Sequence, residues 1–216
     1  MKETKERILD ATERCVAELG IAAASIRTIT KDAGVNLGAI TYHFGSKENL
    51  IMEVFMRRMV PMNKERLAML EAAEDEAGVE PIPLRRVIEA IVIPQRRLNQ
   101  QYPSYLAFMI RMKNYPNPEF HRLFQQEFSA VFERFDTALR EALPPMSEYE
   151  LVLRMAFFIH LMEFLPENDF HLKKKIPDSL DSDLITDLFV SFLERGVSAP
   201  LSRYVPIVTG ADTETD

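Results

Sequence analysis

Arg27, Thr28, Leu37, Gly38, Thr41, Tyr42 and Lys47 lie within one short stretch of the chain, and their types suit contact with a polyanion rather than bond-making. Thr41 offers a hydroxyl to a base edge or a phosphate, and its methyl can meet the methyl of thymine. The Tyr42 phenol can donate to a phosphate oxygen. Lys47 stands in the first turn of a helix, where free backbone N–H groups and the positive end of the helix dipole already favour an anion. Arg27 and Thr28 can meet phosphates from the other side. Gly38 is small enough to let a groove wall come close. Leu37 has two readings, packing on the core flank or apolar contact with a thymine methyl.

No comparable set exists for catalysis. His160 and Glu163 stand at i and i+3 and can share a helix face, but a di-metal bundle needs Glu-x-x-His on two helices, and the second is missing. There is no Cys/His cluster of zinc type. No nucleophile elbow, P-loop or glycine-rich dinucleotide turn occurs. Neither a metal nor a cofactor is expected, and the chain does not read as an enzyme.

The elements that must hold the first group of residues follow from local chemistry. Ile8, Thr12, Cys15, Val16 and Leu19 recur at helical spacing, and Gly20 stops that helix. Ser25 is the N-cap of a short second helix that ends at Gly34. Asn36 caps a third, with Val35 and Ile40 placed as a hydrophobic staple. Gly45 breaks it. Ser46 caps a fourth helix, expected to run from about 47 to 73 with a bend or break at Pro61. A short helix, a glycine turn and a second short helix make a helix-turn-helix, whose second helix enters the DNA major groove. At about 100° per residue, Ile40 and Phe44 share the core side with His43, while Gly38 and Tyr42 point away, flanked by Ala39 and Thr41.

Helical spacing continues to the end of the chain, so the fold class is all-α: a three-helix DNA-binding domain followed by a larger helical domain. Further helices are expected over Pro83–Gln101, with a kink or break at Pro94, and over Pro103–Lys113, Glu119–Leu143, Ser147–Leu165 and Asp183–Gly196. Domains are expected at 1–50 and 51–199, with a flexible tail at 200–216. The net charge is −7, which argues against nucleic acid until it is divided. Residues 1–60 hold nine Lys/Arg and eight Asp/Glu, a net of +1, and the remainder carries −8. A neutral N-terminal region can bind DNA if its cations face one way. One cysteine excludes an internal disulfide, no apolar run reaches the roughly 20 residues of a membrane span, and the chain reads as cytoplasmic.

In the second region, Tyr105, Phe108 and Phe128 are candidates for the apolar wall of a small-ligand pocket, with Gln95, Arg111, Gln125, His160 and Glu163 as its polar members. Simple core packing gives the same periodicity. Leu151, Met155, Phe158, Ile159 and Met162 on one helix, and Leu184, Leu188, Phe189 and Phe192 on the last, are candidates for a dimer interface built as a four-helix bundle. They also fit the interior of a monomer.

The first quarter of the chain resembles the TetR family of transcriptional regulators. The resemblance rests on the first helix ending at Gly20, then Ser25, Arg27, Ile29, Ala33, Gly34, Val35, Asn36, Gly38, Ile40, Tyr42, His43, Phe44, Lys47, Glu48 and Leu50. It implies a homodimer bound to a double-stranded operator, and a divergent C-terminal domain that senses a small molecule; repression is the family default. It places DNA contacts on Arg27, Thr28, Asn36, Leu37, Gly38, Thr41, Tyr42, His43 and Lys47. The chain departs from the family at Thr41, often an aromatic, at Asn36, often Ser, and at Thr30, usually Ala. The alternative is an all-α ligand-binding protein or enzyme in which the helix-turn-helix is only structural.

Overall fold

The computed structural model describes residues 2–113, 115, 118–163 and 180–200. These form helices α1 (Lys2–Leu19), α2 (Ile26–Ala33), α3 (Leu37–Phe44), α4 (Lys47–Ala77), α5 (Leu84–Gln101), α6 (Pro103–Lys113), α7 (Pro118–Ala142), α8 (Glu148–Glu163) and α9 (Ser182–Val197). No strand occurs among the described residues. The chain is all-α, as its periodicity predicts. The connection expected after Leu165 and the tail beyond Pro200 lie outside the described residues.

The two internal prolines do not break their helices. α4 runs 31 residues through Pro61, and α5 runs through Pro94. A proline removes one ladder hydrogen bond, but Met59 and Met62 are buried beside Pro61 and Pro94 is itself buried, so side-chain packing outweighs the local loss. α4 also passes its expected end at 73. Gly78 stops it, with φ of 65° and its N–H donated to the Glu74 carbonyl at 3.0 Å.

The chain divides into two compact units. The first comprises Met1–Met69 and Ile93–Phe132. Its core joins Ile8, Val16, Ile29, Ile40 and Leu50 to Val54, Phe55, Tyr105, Phe108 and Phe128. Within this unit α4 carries Leu50, Ile51, Val54 and Phe55 into one apolar cluster, and α6 packs on α1. The buried Tyr105 hydroxyl donates to the Phe55 carbonyl at 3.0 Å. Burial pushes the Tyr105 phenol well up, so it stays a neutral donor.

The second unit comprises Leu70–Val92 and the chain from Glu133 on. Its buried residues include Leu70, Val87, Ile88, Phe135, Leu139, Leu151, Phe158, Val190 and Leu193. Arg154 of α8 donates Nη1 to the Val197 and Ala199 carbonyls at 2.5 and 2.8 Å, satisfying the C-terminal end of α9. Its Nη2 reaches Glu150 Oε1 at 2.5 Å. Arg85 of α5 binds Asp187 and donates to Ser191 Oγ at 3.1 Å. α8 and α9 are thus tied by charge-assisted bonds as well as by packing.

Candidate nucleic-acid interface

The helix-turn-helix is built by its caps. Ser25 Oγ accepts the Thr28 N–H at 3.1 Å and starts α2. Asn36 Oδ1 accepts the Ala39 N–H at 2.9 Å and starts α3. Between them Gly34 takes the left-handed conformation, φ 63° and ψ 41°, which turns the chain from one helix into the next. Gly45, with φ 75°, closes α3 and donates to the Thr41 carbonyl at 3.1 Å. Ser46 Oγ then accepts the Asn49 N–H at 3.0 Å and starts α4. Thr30, at a buried position, returns its hydroxyl to the Arg27 carbonyl at 3.1 Å, so a polar side chain is accommodated there.

α3 has two faces. Ile40 is fully buried and Phe44 nearly so, and both belong to the core of the first unit. Gly38, Thr41, Tyr42 and Leu37 are exposed, Tyr42 by 73% and Leu37 by 61%. The exposure of Leu37 stands against packing it on the core flank. Gly38 has no internal reason to be glycine: a Cβ there would meet only Asn36 Oδ1, at 3.5 Å, an ordinary contact. His43 is half-buried, its ring 5.0 Å from Tyr42 in an edge-on arrangement and 6.0 Å from Phe44.

The cations divide into two groups. Arg57 of α4 donates to Glu6, Asp10 and Glu13 of α1 at 3.1, 2.8 and 2.9 Å, and Arg14 pairs with Asp32 at 2.7 Å. Burial works against the Arg57 charge, but its bonds to Asp10, Glu6 and Glu13 outweigh it and hold the guanidinium above its ordinary pKa. These charges fasten α1 to α4 and to α2. Arg27 is exposed at the start of α2. Lys47 is half-buried and donates Nζ to the Ile21 carbonyl at 2.6 Å, fastening the start of α4 to the loop before α2. An ammonium has three donors, so this bond leaves two for an anion.

The other expected groups scatter. Tyr105, Phe108 and Phe128 are core residues of the first unit; Tyr105 stacks on Phe108 and Phe128 meets Phe55 edge-on. Gln95 lies in a polar cluster, accepting from Arg66 Nη2 at 3.2 Å and donating to Asn99 at 3.0 Å. Much of the Arg66 side chain is walled in by protein, and that burial lowers its guanidinium to about 10. Arg111 and Gln125 are exposed rather than turned into a cavity, because the apolar positions beside them, Met112 and Phe128, take the core side of their helices. His160 belongs to the second unit and is exposed, with Nδ1 2.7 Å from the Ala156 carbonyl. The Glu163 side chain lies outside the description.

Among the proposed dimer residues, Leu151 and Phe158 are buried within the second unit, Met155, Met162 and Phe189 are half-buried, and Ile159, Leu184, Leu188 and Phe192 are exposed. The exposed apolar residues of α8 are Ile159 together with Tyr149, Val152, Leu153, Phe157 and Leu161. α8 is apolar almost all round, so periodicity alone could not choose between its faces.

Two family models match this chain. "Bacterial regulatory proteins, tetR family" matches residues 8–54, which hold the whole helix-turn-helix. "Tetracyclin repressor-like, C-terminal domain" matches residues 89–196, half of the 216. The chain belongs to the TetR family. The HTH-type transcriptional regulator BetI of Vibrio campbellii is 31% identical over 107 residues, covering 48% of this chain and 51% of that protein. The repressor AcnR of Corynebacterium glutamicum is 41% identical over 49 residues, covering 23% and 26%. The chain spans about half the length of the curated relatives it matches, 51, 46 and 41% for three of them. In fold it is similar to the probable transcriptional regulatory protein RHA5900, TM-score 0.59 at 19% identity over 91% of this chain and 100% of that one. PfmR of Thermus thermophilus gives 0.55 at 17% identity over 91% and 96%.

The tetR-family model covers the helix-turn-helix, and relatives that this chain is similar to are named as transcriptional regulators. What local spacing missed in this TetR-type unit is the set of bonds that hold the turn before α3. Arg7 of α1 donates Nη2 to the Ala33 and Gly34 carbonyls at 2.5 and 3.0 Å. Nothing in local spacing points from position 7 to position 34; only the packing of α1 on α2 brings them together.

Proposed function

We propose that the protein is a homodimeric cytoplasmic repressor that reads an operator through two copies of α3 and is released by a small, largely apolar effector. The observation that carries the reading is the division of α3: Ile40 and Phe44 are buried, while Leu37, Gly38, Thr41 and Tyr42 form a shallow outward face with a single large ring. Arg27, Thr28, Asn36, His43 and Lys47 flank that face and supply phosphate contacts. The apolar stripes of α8 and α9 supply the second copy, which the reading needs because half-sites lie about 34 Å apart along the duplex. The curated relative AcnR is named a repressor, which supports the sign of the response.

Release by effector requires different affinities for two states of the dimer, and the shift cannot exceed that difference. α4 is the natural lever, since it starts beside the reading helix at Lys47 and continues to Ala77. Fluorescence anisotropy with duplexes from the region upstream of the protein's own gene tests the proposal. Saturable binding of two chains per site, lost in Tyr42→Ala and reversed by an apolar small molecule, is the expected result. Equal affinity for that region and for random duplex overturns it.

A further inference from the structure

We propose that Arg7 is a positioning residue for operator recognition, acting on α3 through the turn before it; the inference rests on operator binding by that helix. The turn between α2 and α3 contains two successive peptide groups, Ala33–Gly34 and Gly34–Val35. The N–H of the first, on Gly34, is bonded to the Lys31 carbonyl at 3.3 Å; that of the second, on Val35, to the Thr30 carbonyl at 3.0 Å. Their two carbonyl oxygens both accept from Arg7 Nη2, at 2.5 and 3.0 Å. Each peptide plane is thus held at one end by α2 and at the other by α1. The last carbonyls of a helix have no partner within it, and a cation among them also meets the negative end of the dipole.

The second of these planes sets the direction in which the chain leaves Gly34. Val35 and Asn36 follow, and Asn36 caps α3. α3 is only eight residues long and is anchored to the core mainly through Ile40, its fourth residue, and Phe44, its last. Its leading end, with Leu37 and Gly38, is the end that reaches bases in such units. That end is aimed by the turn, and the turn is fixed from outside by one guanidinium. Gly34 completes the arrangement, because a Cβ there would stand 2.8 Å from Arg7 Nη2.

The guanidinium has a clear alternative role, a direct phosphate contact, and salt separates the two. Positioning changes the fraction of molecules whose α3 is correctly aimed, and a pose held by one molecule in ten lowers apparent specific affinity about tenfold. Non-specific affinity comes from phosphates and does not depend on that pose. For Arg7→Gln, specific affinity is therefore expected to fall about tenfold, with non-specific affinity and the salt slope unchanged. Arg7→Lys, which can hold one carbonyl, recovers part of the loss. Hydrogen exchange of Arg7→Gln is expected to quicken from Gly34 to Ile40 and to stay unchanged across Ile8–Val16.

Gly34→Asn serves as a second variant that keeps the charge. Asn tolerates the left-handed conformation better than most residues, while its Cβ displaces the guanidinium. The same selective loss is expected. If Arg7→Gln weakens both kinds of binding and the slope falls by about one, Arg7 touches a phosphate and the proposal is overturned. Full operator affinity in both variants overturns it equally. If the wild-type chain itself shows no preference for its operator, the operator-binding reading fails instead.

Discussion

Gly38→Ala separates stability from recognition because the two should move in opposite directions. Glycine in a helix costs roughly 0.5–1 kcal/mol relative to alanine. Gly38 is the second residue of α3, in the first turn, so the gain on replacing it sits at the low end of that range. Nothing offsets the gain: the residue is exposed, its φ lies outside the left-handed region, and the new methyl would rest 3.5 Å from Asn36 Oδ1 without disturbing the cap. Urea unfolding should show Gly38→Ala more stable by about 0.5 kcal/mol, or no less stable than the parent.

On the operator the same methyl stands between α3 and the groove. Forcing one carbon into a close-packed contact costs about 1–3 kcal/mol, which corresponds to roughly 5- to 150-fold in affinity. Anisotropy titrations at one fixed salt concentration measure it. The loss should appear on specific duplex and be small on random duplex, where the helix need not seat fully. If Gly38→Ala binds the operator as tightly as the parent, the Gly38 face is not pressed against DNA, and the account of α3 as a closely seated reading helix is wrong. Lower stability together with lower affinity would instead place an unseen packing role at Gly38.

Three other perturbations test separate links. Asn36→Ala removes the acceptor of the Ala39 N–H and should cost about 1 kcal/mol in urea unfolding; an unchanged midpoint would mean that the cap contributes nothing. Leu188→Glu puts a charge on the exposed face of α9 and should leave the helical content intact while sedimentation shows the monomer mass, with operator affinity falling by at least about 100-fold as the paired contact is lost. A dimer of unchanged strength would remove that face from the interface. Cys15 is buried, and burial first, then Asp32 and Glu18, push its thiol pKa up. Alkylation at mildly alkaline pH should therefore be slow in the native protein and fast in urea, and rapid native labelling would contradict the packing of α1.

The legible part of the molecule is the part governed by short-range chemistry. Ser25, Gly34, Asn36, Gly45 and Ser46 each act within a few residues of themselves, and their caps and turns stand where their spacing puts them. The outward side of α3 follows from the same spacing once Ile40 and Phe44 are assigned to the core. Three features were not legible. Pro61 and Pro94 sit inside unbroken helices because packing outweighs one lost hydrogen bond. The exposed side of α8 could not be chosen, since residues at every angle around that helix are apolar. Arg7, Arg57 and Lys47 act across 26 to 51 positions of sequence, and their partners become visible only when the helices are packed.

The distribution of charge bears on the proposed recognition of DNA, and requires that it work by fit. Most cations of the N-terminal region are committed: Lys5 to Glu53, Arg14 to Asp32, Arg57 to three carboxylates, and Arg7 to two carbonyls. Arg27 and Lys31 carry no ion pair among the described residues, and Lys47 shares its charge with the Ile21 carbonyl. Three cations per subunit set an upper bound of about six phosphate contacts in the proposed dimer, and six contacts lose on the order of 10³ in affinity between 50 and 200 mM salt. The phosphate backbone would therefore supply little binding at physiological ionic strength, and the charge of −8 carried beyond residue 60 would reduce it further. Under the proposed function, discrimination comes from Leu37, Gly38, Thr41 and Tyr42 in the groove, doubled by a second subunit. Such a protein spends little time on random DNA, and loosening the aim of one short helix is enough to release it.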